Sequence, residues 1–183
     1  MADQVQLSAG EVVWQHARIS RGWVEGRAAV VVPTPEKVLW QVITDYSAYV
    51  EVLPYVTASH TISTSPHEQG MLIESSYELT TRGVRTLYRL ESILSTERSE
   101  MPFCYTAGPG NIEDGGCGIW RVRPWSAGNL LLEVIIELPD QWWLPRGVER
   151  QIAELGLPKL VNLMRDRAVT LTGVSADQPS TDR

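Results

Sequence analysis

Apolar and polar positions alternate through most of residues 24–138, then give way to a spacing of three and four. Val24, Gly26, Ala28, Val30 and Val32 share one face of a first long strand. A helix follows: Thr34 is placed as its N-cap, Pro35 suits its first turn, and Val38, Leu39, Val42 and Ile43 repeat at helical spacing with Trp40 beside them. Asp45 breaks that pattern and is placed as the N-cap of a second short helix with Tyr46, Tyr49, Val50 and Leu53 on its apolar side. Pro54 ends this helix, because the residue before a proline is pushed out of the helical region.

Six further strands are expected. Val56 to Ser63 is the first, and Ser65–Gly70 reads as a turn cluster. Met71, Ile73, Ser75, Tyr77 and Leu79 then line one face, with Glu74 and Glu78 on the other. Val84, Thr86, Tyr88 and Leu90 lie opposite Arg85, Arg89 and Glu91. A sheet wet on one side and covered on the other follows from this alternation.

Two hairpins carry a register. If strands 103–107 and 117–124 pair symmetrically about Gly110–Asn111, Phe103 and Trp120 point to the covered face and Arg121 and Arg123 to solvent. Cys104 and Cys117 then face each other across the strands. They read as two small, partly buried thiols; the other reading is a cross-strand disulfide, which belongs to an oxidising compartment. Folding the last hairpin about Ser126–Asn129 sets Glu133 near Arg121, a pair contributing about 0.2–1 kcal/mol if exposed. Leu130, Leu132, Val134, Ile136 and Leu138 form the apolar face of the last strand.

Pro145 opens a final helix. Val148, Ile152 and Leu155 make one stripe, and Leu157, Leu160, Met164, Ala168 and Leu171 continue it beyond a kink at Gly156–Pro158. Glu11 to Ile19 reads as an extended segment. The expected organisation is a loose lead-in over residues 1–10, one domain over 11–172 and a disordered polar tail over 173–183.

Composition narrows the partners. The chain has 183 residues, 43% of them apolar, which suits a domain with a sizeable core. Net charge is −6 and no basic block occurs, so nucleic acid and anionic membranes are poor electrostatic matches. No apolar run approaches the roughly 20 residues of a membrane span, so stable membrane insertion is not expected. The first residues lack the basic and apolar regions of a secretory signal. A cytoplasmic location is the expectation, or a periplasmic one if a leader has been removed. Seven tryptophans against one phenylalanine suit both a core and a ligand pocket.

The stretch from Val32 to Val56 resembles the opening of the START-like (SRPBCC) superfamily, more narrowly its polyketide cyclase/dehydrase and coenzyme Q-binding branch. Val32, Pro33, Pro35, Val38, Trp40, Val42, Asp45, Tyr46, Tyr49, Leu53, Pro54 and Val56 carry the likeness. The Gly-Pro hairpin followed by Gly118-x-Trp120 and the Leu144–Pro145 pair extend it. The resemblance implies an α+β helix-grip fold, a bent antiparallel sheet of about six to seven strands wrapped around a long C-terminal helix. It also implies an apolar cavity between the two.

Little in the sequence points to strong catalysis. His16, His60 and His67 show no metal-ligand spacing with each other or with the cysteines, and no metal or cofactor is expected. No nucleophile elbow or phosphate loop occurs. Asp45 serves a general base less well than it serves a helix end. Tyr77, Tyr88 and Tyr105 are the candidates for any proton handling, on the inner face with Ser75 and Thr86. Candidates for the lining or mouth of a cavity are Trp40, Tyr77, Tyr88, Phe103, Trp120, Trp142, Trp143, Leu160 and Met164. The expected function is non-enzymatic binding or transport of a lipid, isoprenoid quinone or polyketide-like molecule by a monomer or weak homodimer. The alternative is an aromatase/cyclase-like enzyme acting on a poly-β-keto chain. A ribosome-associated module is a third class, which the acidic charge counts against.

Overall fold

A computed structural model describes residues 7, 10–20, 23–52, 56–81, 84–108, 116–126, 128–139 and 156–173. Eight antiparallel strands form one sheet: β1 (Val13–Ser20), β2 (Trp23–Val32), β3 (Val56–His67), β4 (Gly70–Thr81), β5 (Val84–Leu94), β6 (Glu100–Ala107), β7 (Cys117–Ser126) and β8 (Asn129–Pro139). Their order across the sheet is β1-β2-β8-β7-β6-β5-β4-β3. Helix α1 (Glu36–Thr44), a 3-10 turn (Tyr46–Ala48) and helix α2 (Tyr49–Val52) separate β2 from β3, and helix α3 (Leu157–Thr172) closes the fold. This is the helix-grip arrangement.

The sheet has eight strands where six to seven were expected. The extra one is β1, the segment after Glu11, which pairs with β2 from Val13↔Ala29 to Ser20↔Trp23. At the other edge β3 runs through Pro66 to His67, where a turn cluster was expected. Pro66 is tolerated because an edge strand has one side free of ladder bonds.

The first hairpin pairs about the expected turn, and the last one sets Glu133 by Arg121 as expected, with a register shift between Pro124 and Ser126. Met101 faces Trp120, Phe103 faces Gly118 and Cys104 faces Cys117. Arg121 faces Glu133, with Nη1 3.7 Å from Oε2. The pair is partly buried where solvent was expected, at 31% and 15% side-chain exposure. The cysteines form a disulfide, which corrects the reading of two thiols. Their positions in register bring the Cα atoms within 4.0 Å, so the side chains meet on one face of the sheet.

The helix starts also differ from expectation. Pro35 is the N-cap of α1 and makes no side-chain cap bond. Thr34 is turned inward, 3% exposed, and its hydroxyl has no partner. Asp45 precedes the 3-10 turn without capping it through its side chain. Its carboxylate instead accepts hydrogen bonds from Ser47 Oγ and from Arg167 Nη2 of α3, the latter at 3.2 Å. Arg167 also reaches Glu51 of α2 at 3.3 Å, so one cation ties the last helix to the helix pair. The expected stop at Pro54 lies outside the described residues.

Helix α3 packs against β2, β8, β1 and α1. Its fully buried residues are Val161, Met164 and Ala168, with Leu157 and Leu160 half-buried. Leu171, expected on the apolar stripe, is 54% exposed. Pro158 sits in the first turn of the described helix. The expected stripe from Val148 to Leu155, and with it the upstream arm of the proposed kink, lies outside the described residues.

Candidate functional site

The covered face of the sheet can be built row by row from the register. One row runs Ile73–Ser92–Phe103–Gly118–Ile136–Gly26. Gly118 in it must be glycine, and Gly26 is closely approached. A Cβ on Gly118 would overlap the edge of the Phe103 ring and the Ile135 carbonyl oxygen, and one on Gly26 would overlap Leu157. Phe103 thus lies flat across β7, and the start of α3 rests directly on β2. The neighbouring row, Met101–Trp120–Val134–Ala28, is buried throughout.

On the opposite side of the Phe103 row, three tyrosines replace the aliphatic residues. Tyr77 of β4 and Tyr88 of β5 are register partners, and their rings stack at 5.1 Å and 13°. Tyr105 of β6 stands edge-on to Tyr88 at 5.8 Å and to Phe103 at 6.2 Å. The Tyr77 and Tyr105 hydroxyls are 3.0 Å apart and hydrogen-bonded. All three rings are half-buried. Ser75, two residues before Tyr77 on the same face, is fully buried, and its hydroxyl has no partner.

The helix pair adds two more phenols. Tyr46 OH is 3.0 Å from Ser92 Oγ, and Tyr49 OH donates to the Ile43 carbonyl at 2.6 Å. The pattern assigned both rings to an apolar helix face, which they occupy. Nothing in the pattern showed that their hydroxyls would find partners inside the core. Burial raises the pKa of every one of these phenols. Burial, then the charge of Tyr105, holds Tyr77 well above 10; burial alone raises Tyr88; burial pushes Tyr105 up to about 12. Burial likewise raises Tyr46, though Ser92 offsets part of it, and raises Tyr49 strongly. The hydroxyls are therefore neutral donors and acceptors at any ordinary pH, poorly suited to act as general bases.

The other candidates are distributed as follows. Trp120 and Met164 are packed in the core, at 5% and 0% exposure, and Leu160 is half-buried on α3. Trp40 is buried on α1 and donates from Nε1 to Glu36 at 2.9 Å. It borders a groove of about 480 Å³, lined also by Glu36, Thr44, Leu94 and Thr96. None of the covered-face tyrosines lines that groove. Trp142 and Trp143 lie outside the described residues. Among the described residues no cluster of His, Cys, Asp and Glu has metal-binding geometry, and no helix is long and apolar enough to cross a membrane.

A sheet gripped by a terminal helix is shared with known proteins. The family model "Polyketide cyclase / dehydrase and lipid transport" matches residues 32–165. The chain belongs to this family. Similar solved structures include a START superfamily protein from Mycobacterium smegmatis (TM-score 0.63, 13% identity, over 88% of this chain and 99% of that one). They also include the Zhui aromatase/cyclase from Streptomyces sp. R1128 (TM-score 0.61, 14% identity, 87% and 96%) and human STARD10 (TM-score 0.58, 8% identity, 94% and 78%). At these identities the likeness establishes the START-like fold and leaves the chemistry to each chain's own residues. No curated protein sequence matches the chain.

Proposed function

We propose that this protein binds a hydrophobic small molecule, a lipid, isoprenoid quinone or polyketide-like compound, between the covered face of its sheet and the C-terminal helix, and holds or carries it unchanged. The observation that carries this reading is the half-buried aromatic wall of Tyr77, Tyr88 and Tyr105 set into an otherwise apolar face. Such a wall gives contact area to an apolar body and hydrogen bonds to a polar end. Burying about ten methylenes contributes roughly 8 kcal/mol gross. Association costs of at least about 4 kcal/mol reduce this, which places affinity in the micromolar range or weaker.

Catalysis is the second reading, because the Tyr77–Tyr105 hydroxyl pair is built to orient keto oxygens of a poly-β-keto chain. It ranks lower because these hydroxyls stay protonated and the described inner face offers no carboxylate or imidazole beside them.

Native mass spectrometry of freshly purified protein, followed by solvent extraction, tests the proposal. The expected result is an added mass that organic solvent releases. A clean apo mass with no uptake from a panel of lipids, quinones and polyketide-like compounds would overturn it. Turnover of a poly-β-keto substrate would replace it with the second reading.

A further inference from the structure

The polar end of this face has a definite chemical character. Tyr77 and Tyr105 share one hydrogen bond at 3.0 Å, which uses one proton and leaves the second free. Ser75 Oγ is buried beside the Tyr46 hydroxyl, which bonds Ser92 Oγ at 3.0 Å, and closes no hydrogen bond of its own. A buried hydroxyl left unsatisfied is costly, and a ligand supplying the missing partner would remove that cost. The Tyr77 and Tyr88 rings stack, Tyr105 stands edge-on to Tyr88, and the Tyr77 and Tyr105 hydroxyls meet. The cluster presents both donors and acceptors.

Charge is equally informative. Strand alternation puts Glu74, Glu78, Arg85, Arg89, Glu91, Arg121 and Glu133 on the face opposite the tyrosines. On the helix pair, Asp45 and Glu51 hold Arg167 of α3 in ion pairs. Among the described residues no cation faces the cluster. A carboxylate placed there would lose its water without gaining a counter-charge, whereas an alcohol or carbonyl gives up far less.

We infer that Ser75, Tyr77, Tyr88 and Tyr105 form a head-group subsite that selects uncharged alcohols, ketones or amides over carboxylates bearing the same apolar tail. The inference rests on the binding reading above and adds the class of ligand that site accepts.

The test compares two probes with one tail, 1-dodecanol and dodecanoate, each below its aggregation limit at pH 8, with binding followed by native mass spectrometry and tryptophan fluorescence. The expected result is that dodecanol binds at least tenfold more tightly than dodecanoate. In the Tyr77→Phe/Tyr105→Phe double variant, dodecanol should bind at least tenfold more weakly than to the wild-type protein. Removing both members of a hydroxyl pair is close to neutral for folding, and circular dichroism checks this. Equal binding of dodecanol and dodecanoate, or an unchanged dodecanol affinity in the double variant, overturns the subsite and leaves the binding reading standing. Failure of both probes overturns both.

Discussion

The two halves of the covered sheet face are built from different materials. Strands β2, β8 and β7 present Ala28, Val30, Val32, Leu132, Val134 and Val122, none more than 1% exposed, and α3, packed on β2 and β8, adds Val161, Met164 and Ala168 at 0%. Strands β4, β5 and β6 present Ile73, Leu90 and Phe103, and then the half-buried Tyr77, Tyr88 and Tyr105 with Ser75 and Ser92 among them. Both halves come from the same alternating pattern. The first spends its apolar surface on helix packing and excludes water. The second keeps hydroxyls in an apolar setting, at a cost that packing alone does not require. Stability should therefore reside in the first half and ligand recognition in the second.

The largest expected effect tests that division directly. Leu132→Ala removes a fully buried side chain beneath the helix and should cost about 2–5 kcal/mol. Tyr77→Phe removes one hydroxyl and should cost about 0.5–1.5 kcal/mol. Urea denaturation of both variants measures the contrast. Equal losses would mean that the tyrosine half is ordinary core.

Next in size is the Cys104–Cys117 bridge, which closes the loop between β6 and β7 and lies between Phe103 and Tyr105 on one strand and beside Gly118 on the other. Under denaturing, non-reducing conditions the protein should show no free thiol. With a sequence separation of 13 residues, the Cys104→Ser/Cys117→Ser variant should lose about 3 kcal/mol. Finding two titratable thiols would remove the bridge and return the pair to the reading of small buried side chains.

That bridge also marks how far the pattern of residues reaches. Turn position and alternation together set Cys104 opposite Cys117 and Glu133 near Arg121, because a one-residue slip would turn each apolar face outward. The same rules put Tyr77, Tyr88 and Tyr105 on one face. Whether two facing cysteines bond depends on chemistry that register does not contain. The sequence marks β1 only as an extended segment, since its status as a strand depends on pairing with β2. The grip of Arg167 on Asp45 spans 122 residues, and no local spacing marks such a contact. Thr34 looked like a cap because local rules favour threonine before a helix; Pro35 takes that position and Thr34 is drawn inward.

The smallest effect sharpens the comparison by pH. Burial raises the pKa of Tyr105 to about 12, against 10 for an exposed phenol. A raised pKa in the folded state means that folding holds the proton, so this contribution is complete below pH 10 and is lost as pH climbs towards 12. The loss is about 1.4 kcal/mol for each pH unit in that window. Tyr77 and Tyr49, also raised, act in the same direction. The wild-type protein should thus lose stability between pH 10 and 12, with phenolate absorbance appearing together with unfolding. Tyr105→Phe should be less sensitive to alkali by about 1.4 kcal/mol at pH 11, while Leu132→Ala should follow the wild-type slope. A phenolate signal at pH 10 in the still-folded protein that Tyr105→Phe diminishes would show that the tyrosine half is open to water. It would then be a wet surface, and the contrast with the dry half under α3 would lie in exposure alone.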